Sequence, residues 1–149
     1  MKYTYKTLTS ANVPLLKTLL RVFGEAFEEM DTYQSAVPGE GYLRDLLGKE
    51  YFIALVALDG DAVVGGLAAY ELQKFEQARK ELYIYDLAVL AGHRRKGIAT
   101  NLIRALQGVA KVRGVYVIFV QADMGDTPAI RLYESLGARE DVHHFDISV

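Results

Sequence analysis

The segment from Asp86 to Thr100, DLAVLAGHRRKGIAT, carries the residues of this chain best suited to chemistry. A run with strand character, Leu82 to Val89, leads into a short loop. The loop ends in Arg94-Arg95-Lys96-Gly97-Ile98-Ala99, and an amphipathic helix follows at once. This order gathers backbone N–H groups, the positive end of a helix dipole and three cationic side chains around one point, which suits a phosphate-like anion. Gly97 lets the main chain approach the anion where a Cβ would obstruct it. Asp86 is an acid in an otherwise apolar strand. Burial would raise its pKa, the property a general base needs. Strict alternation sets Asp86 on the face of Leu82 and Ile84, and a bulge at this point would turn it into a cleft. Asp123, ending a later strand beside a crossover, is the second candidate base. It reads equally as a turn or cap residue, and holding a substrate ammonium group is its alternative role to taking a proton.

The elements needed to position these groups are legible along the chain. Residues 2–8 alternate and predict a first strand. Ser10 is placed to cap a helix with Pro14 in its first turn, and Val13, Leu16, Leu19, Leu20 and Phe23 fall on one face of it. An acidic stretch with Glu25, Glu28, Glu29 and Asp31 runs into a polar loop, and 41–48 predict a short helix. Tyr51 to Leu58 predicts a strand, Asp59-Gly60 a tight turn, and Val63 to Leu72 its hairpin partner. After the central strand 81–89 comes a long helix from Ile98, ended by Gly114. Val115 to Ala122 predicts a strand. Asp126 caps a helix with Pro128 in its first turn and Ala129, Leu132, Tyr133 and Leu136 on one stripe. Residues 140–148 predict a last strand. The expectation is one α+β domain over 1–149, with helices on both faces of a mixed, mostly antiparallel sheet.

Composition narrows the function classes. The chain has 149 residues, enough for one domain with a sizeable core. A net charge of −2 gives no global positive field for nucleic acid. With no cysteine there is no disulfide framework, thiolate metal site or cysteine nucleophile. His93, His143 and His144 are too scattered for a metal site. No apolar run approaches the roughly 20 residues of a membrane helix, and the opening residues have no apolar core of a secretion signal. A cytoplasmic protein without metal, membrane or nucleic-acid partner is expected.

The loop lacks the G-x-x-x-x-G-K-S/T of a P-loop and the G-x-G-x-x-G of a dinucleotide fold. Its pattern, Arg94-x-x-Gly97-x-Ala99, resembles the pyrophosphate-binding signature of the GNAT superfamily of N-acetyltransferases, which bind acetyl-coenzyme A. The order of strands and helices is similar to that superfamily's, a mixed sheet of six to seven strands flanked by four helices. Further segments resemble the gentamicin-type aminoglycoside 3-N-acetyltransferases: Thr32-Tyr33, Ala62 to Tyr70, Lys74-Phe75-Glu76-Gln77, Tyr83-Ile84-Tyr85-Asp86, Val120-Gln121-Ala122-Asp123 and His144-Phe145-Asp146-Ile147. Met124 departs from the aromatic residue expected after Asp123.

The resemblance implies acetyl transfer from acetyl-CoA to the 3-amino group of a 2-deoxystreptamine ring. It implies pyrophosphate binding by Arg94, Arg95, Lys96, Gly97, Ile98, Ala99 and Thr100. The pantetheine arm would pair along Leu87, Ala88 and Val89, with an oxyanion donor near the Ala88 N–H. Asp126 and Ala129 would extend the coenzyme site, because Ala129-x-x-x-Tyr133-x-x-x-Gly137 looks like the superfamily's second coenzyme A segment. It also makes Tyr133 the general acid for the departing thiolate; on its helical stripe alone Tyr133 reads as core. A polycationic acceptor suits Glu28, Glu29, Asp31, Tyr33, Asp123 and Asp146. A homodimer is implied as well. Two other readings stay open: a different acceptor (polyamine, amino-sugar or protein amine), and a non-catalytic acyl-CoA or drug-binding module.

Overall fold

The computed structural model describes residues 2–149. Five strands and five α-helices follow one another as β1 (Tyr3–Thr7), α1 (Val13–Ala26), α2 (Met30–Gln34), α3 (Glu40–Leu47), β2 (Phe52–Asp59), β3 (Ala62–Gln73), β4 (Lys80–Val89), α4 (Ile98–Arg113), β5 (Val115–Val120) and α5 (Thr127–Leu136). Short 3-10 turns lie at Ser10–Asn12 and Ala91–His93. The chain forms two compact units, one ending at Phe119 and one from Val120 to Val149.

The sheet runs in the order β1-β2-β3-β4-β5, with the first three pairings antiparallel. The mixed α+β class is as predicted; the strand count is five, below the six to seven expected. Residues 140–148 form no strand, and Val142, Phe145 and Ile147 stand exposed. Alternation shows that a segment can pair, but a strand forms only where its N–H and C=O groups meet those of another strand, and residues 140–148 make no such pairing. The polar stretch after α1 contains the unpredicted α2. The first cap is Thr9, not Ser10: Thr9 and Asn12 form a capping box, which leads into α1 with Pro14 in its first turn.

Helix α1 covers one face of the sheet through Leu16, Leu19, Val22 and Phe23, all buried together with Leu43 and Leu47 of α3 and Phe52, Ala54 and Val56 of β2. Each such side chain contributes about 1.5–3 kcal/mol when fully buried. The helix lies close because Gly66 faces it. A Cβ there would sit 2.5 Å from Leu19 Cδ1 and from the Leu55 carbonyl. Helix α4 packs on β1 to β4 with Ile98, Leu102, Ile103, Leu106 and Ala110 buried, and Gly114, at φ +72°, ends it.

In the second unit Asp126 caps α5 by accepting from the Ala129 N–H at 3.4 Å, with Pro128 in the first turn, as predicted. No helix among the described residues is long and apolar enough to cross a membrane. No group of three or more His, Cys, Asp or Glu side chains among the described residues could hold a metal ion.

Candidate active site

The decisive geometry is a β-bulge in β4. Ala69 faces Ile84 and Ala68 faces Asp86, so Tyr85 is an extra residue without a partner on β3. Cross-strand partners share a face. Ile84 therefore belongs with Ala69 and Ile53, whereas Asp86 belongs with Ala68 and Ala54 on the side that α1 and α3 cover. Asp86 opens into a cavity of about 230 Å³ between these elements. Its walls are Leu16, Leu20 and Phe23 of α1, Leu43 and Leu46 of α3, Phe52, Ala68 and three tyrosines, Tyr42, Tyr70 and Tyr85.

Asp86 is half-buried, and burial lifts its pKa above the ordinary carboxylate value. Glu29 adds to the rise by repulsion, and a hydrogen bond opposes it: the Tyr33 hydroxyl donates to Asp86 Oδ2 at 3.0 Å. Helix α2 delivers Tyr33. The ring packs 5.9 Å from both Phe23 and Phe27, and Gly24 leaves room for it, since a Cβ there would lie 3.2 Å from Tyr33 Cβ and 2.9 Å from Met30 Sδ. Burial and the neighbouring carboxylate push the Tyr33 phenol well above its usual range. Glu28 sits at φ 55°, in the left-handed region, at the corner between α1 and α2. Glu28, Glu29 and Asp31 are exposed.

Strand β4 continues through Leu87, Ala88 and Val89 into the cationic loop. Arg95 and Gly97 take positive φ, 62° and 78°. Gly97 is the N-cap of α4 and no side chain caps that helix, so the first-turn N–H groups of Ile98, Ala99 and Thr100 face outward. A Cβ on Gly97 would meet nothing nearer than Asn101 Nδ2 at 3.9 Å. The space a ligand would need is open there. These features fit the pyrophosphate of a coenzyme. Arg95 and Lys96 are exposed. Arg94 braces the loop: its Nε donates to the Val89 carbonyl at 3.0 Å and its Nη2 to the carbonyl of Ala26, the last residue of α1, at 3.4 Å.

Sequence reasoning missed how this loop is held. Tyr3 and Tyr5 of β1 grip it on both sides. The Tyr3 hydroxyl is hydrogen-bonded to His93 Nδ1 at 2.9 Å, and Asn101 Nδ2 donates to the Tyr5 hydroxyl at 3.3 Å. The alternation of residues 2–8, which sets Tyr3 and Tyr5 on one side, is the available signal; their partners, about 90 residues away, leave none.

The other candidate residues lie in the second unit. Asp123 is exposed, and its carbonyl accepts from the Asp126 N–H at 3.1 Å. Tyr133 is half-buried on α5, where burial and then Asp126 push its phenol up to about 12. Asp146 pairs with His144 at 2.9 Å. Met124 is 99% exposed, so it forms no part of the unit's interior.

A family model for the acetyltransferase (GNAT) family matches residues 16–138. The chain belongs to the GNAT family. This GNAT protein is similar to an aminoglycoside acetyltransferase, HMB0005, from an uncultured soil metagenomic sample: 56% identity and a TM-score of 0.98 over 100% of this chain and 99% of the other. It is also similar to the aminoglycoside acetyltransferase meta-AAC0020 from an uncultured soil metagenomic sample, solved in complex with sisomicin, at 32% identity and a TM-score of 0.92 over 99% and 97% of the two chains. N-acetyltransferase family 8 member 2 of Rattus norvegicus is 35% identical over 91 residues, which are 60% of this chain and 40% of the relative. The chain spans about two fifths of the length of the curated relatives it matches first.

Proposed function

We propose that this GNAT protein is an aminoglycoside 3-N-acetyltransferase that takes its acetyl group from acetyl-CoA. The observation that carries the reading is the likeness, at 56% identity over the whole chain, to an aminoglycoside acetyltransferase. The sisomicin complex of a second similar protein supports an amino-sugar drug as acceptor. The 3-position rests on the resemblance of Tyr83-Ile84-Tyr85-Asp86 and Val120-Gln121-Ala122-Asp123 to the gentamicin-type enzymes.

In this reading the open head of α4, with Gly97 and the cations Arg95 and Lys96, holds the coenzyme pyrophosphate. Leu87, Ala88 and Val89 line its arm, and the resemblance to the superfamily's second coenzyme A segment assigns Asp126 and Ala129 to coenzyme binding. The coenzyme supplies an activated thioester. Asp86 takes a proton from the acceptor ammonium, so that the amine's lone pair becomes available. An N–H near Ala88 steadies the negative charge that develops on the carbonyl oxygen. Tyr133, protonated at all working pH because its pKa is about 12, gives its proton to the departing thiolate. Glu28, Glu29 and Asp31, with Asp123 and Asp146, supply negative charge for a polycationic acceptor. A homodimer acting in the cytoplasm completes the reading, and the exposed Val142, Phe145 and Ile147 are consistent with a partner.

The test is thiol release from acetyl-CoA with gentamicin, with an aminoglycoside lacking a free 3-amine, and with spermidine. Release with gentamicin alone supports the reading. Release with spermidine alone overturns the acceptor and keeps the fold. One observation favours a second reading, an amine on a more apolar body: seven of the cavity's twelve lining residues are Leu, Phe or Ala.

A further inference from the structure

We propose that Tyr33 is a positioning residue for acetyl transfer: by holding Asp86 through Oδ2, it leaves Oδ1 as the oxygen that meets the acceptor amine. The proposal rests on the reading of Asp86 as the base, and it names how that base is aimed and kept ionised.

Three observations carry it. The Tyr33 hydroxyl lies 3.0 Å from Asp86 Oδ2, a bond made across 53 residues of sequence. The donor is itself fixed. Its ring sits between Phe23 and Phe27, and its helix is drawn against α1 at Gly24, where no Cβ would fit without displacing Met30 or Tyr33. On its other side the carboxylate meets the cavity. The cavity at Asp86 is otherwise apolar or tyrosine-lined.

A carboxylate on a flexible χ2 presents either oxygen to solvent. With one oxygen anchored, the other has a defined direction, and the entropy of aligning it is lost on folding rather than during turnover. The chemical step is a single proton transfer. The N–H bond of the ammonium breaks, its electron pair stays on nitrogen, and an O–H bond forms at Oδ1. The proton then passes to solvent when Asp86 ionises again.

The groups facing Asp86 are Tyr33 and Glu29 at α2, Tyr70 on β3, Tyr83 and Tyr85 on β4, and Tyr42 of α3 across the cavity. Glu29 contributes repulsion, and the Tyr33 hydroxyl contributes a hydrogen bond that opposes it. A bond to the charged form holds a carboxyl pKa down. Loss of the Tyr33 hydroxyl must therefore raise it.

Tyr33→Phe keeps the ring and removes only the hydroxyl. Two readouts are compared with the wild type: the 13C-carboxyl titration of Asp86 in the free protein, assigned by its loss in Asp86→Asn, and the pH profile of kcat/KM. The proposal expects the Asp86 midpoint to move to higher pH. It expects kcat/KM to fall at every pH because the aim is lost, and to fall about tenfold further at the acidic end of the profile than at the alkaline end. Replacement of Tyr33 by 3,5-difluorotyrosine, a stronger donor, should move the midpoint the other way. An unmoved midpoint, or an equal loss at every pH, overturns it. Failure of the base reading looks different: Asp86→Asn would then keep wild-type turnover, whatever Tyr33→Phe does to the titration.

Discussion

Ile84 and Asp86 are two residues apart on β4 and lie on opposite faces of the sheet. Regular alternation would put them on the same face. The bulge at Tyr85 inserts one residue between the Ala69–Ile84 and Ala68–Asp86 pairs, and that single insertion moves the carboxylate from the α4 side to the α1–α3 side. The burial pattern agrees. Ile84 is nearly inaccessible, while Asp86 remains half-open toward the cavity.

Asp86→Asn should lower turnover by about 100-fold or more, with acetyl-CoA affinity unchanged within about twofold. Stability should move the other way. The folded-state pKa of Asp86 is raised, so between the ordinary carboxylate value and the raised one the folded state binds more protons than the unfolded state. Its contribution to stability is lost as pH rises through that window. The neutral amide removes this loss, so Asp86→Asn should melt no lower than the wild type at pH 7 and show a flatter dependence of Tm on pH. Thermal melts across pH 4–8, set beside single-turnover kinetics, check both halves.

The wild-type pH profile should carry the same signature. Because the raised carboxyl must be ionised to act, the acidic limb of kcat/KM should lie above the range of an exposed aspartate. Tyr133, at about 12, should contribute no alkaline limb below pH 10. A limb at the ordinary aspartate value would take the role of base away from Asp86.

Gly97→Val forces a β-branched residue into φ +78° at the head of α4. Strain there costs about 1–3 kcal/mol, which a domain of this size survives. The side chain would stand where the anion must approach. Calorimetry should find acetyl-CoA binding weakened by about tenfold or more in a protein that still melts cooperatively. Unaltered affinity would remove the loop from the coenzyme site.

Gly24→Ala sets two effects against each other. Alanine in a helix gains about 1 kcal/mol over glycine, but its Cβ would press on Met30 Sδ at 2.9 Å and Tyr33 Cβ at 3.2 Å, and overpacking costs about 1–3 kcal/mol. Net stability should change little while α2 shifts. The expected outcome is a Tm within a few degrees of the wild type and a kcat/KM reduced chiefly at acidic pH, as in Tyr33→Phe.

Much of this was legible in the residues themselves. Gly60, Gly97 and Gly114 mark a turn, a helix start and a helix end at the positive φ values found, and by local rules alone Gly97 and the cations before it suit an anion. Asp86 stood out as an acid in an apolar strand, and the bulge is the device that would turn it into a cleft. What stayed hidden was relational. Nothing near Tyr33 announces a bond to Asp86, and no local rule announces the bonds from Arg94 to the Val89 and Ala26 carbonyls. The last strand was overread for a related reason: Val142 to Ile147 has the pattern of a strand, but pairing depends on an edge that no local pattern encodes.

The most direct test of the central claim is the site of acetylation: incubate the purified protein with acetyl-CoA and gentamicin, and locate the new acetyl group by NMR. The account predicts a single product acetylated on the 3-amine of the deoxystreptamine ring, formed by the wild type and lost in Asp86→Asn. Acetylation at another amine would contradict the assigned regiochemistry. No product, from a protein that still binds acetyl-CoA, would contradict the aminoglycoside reading altogether.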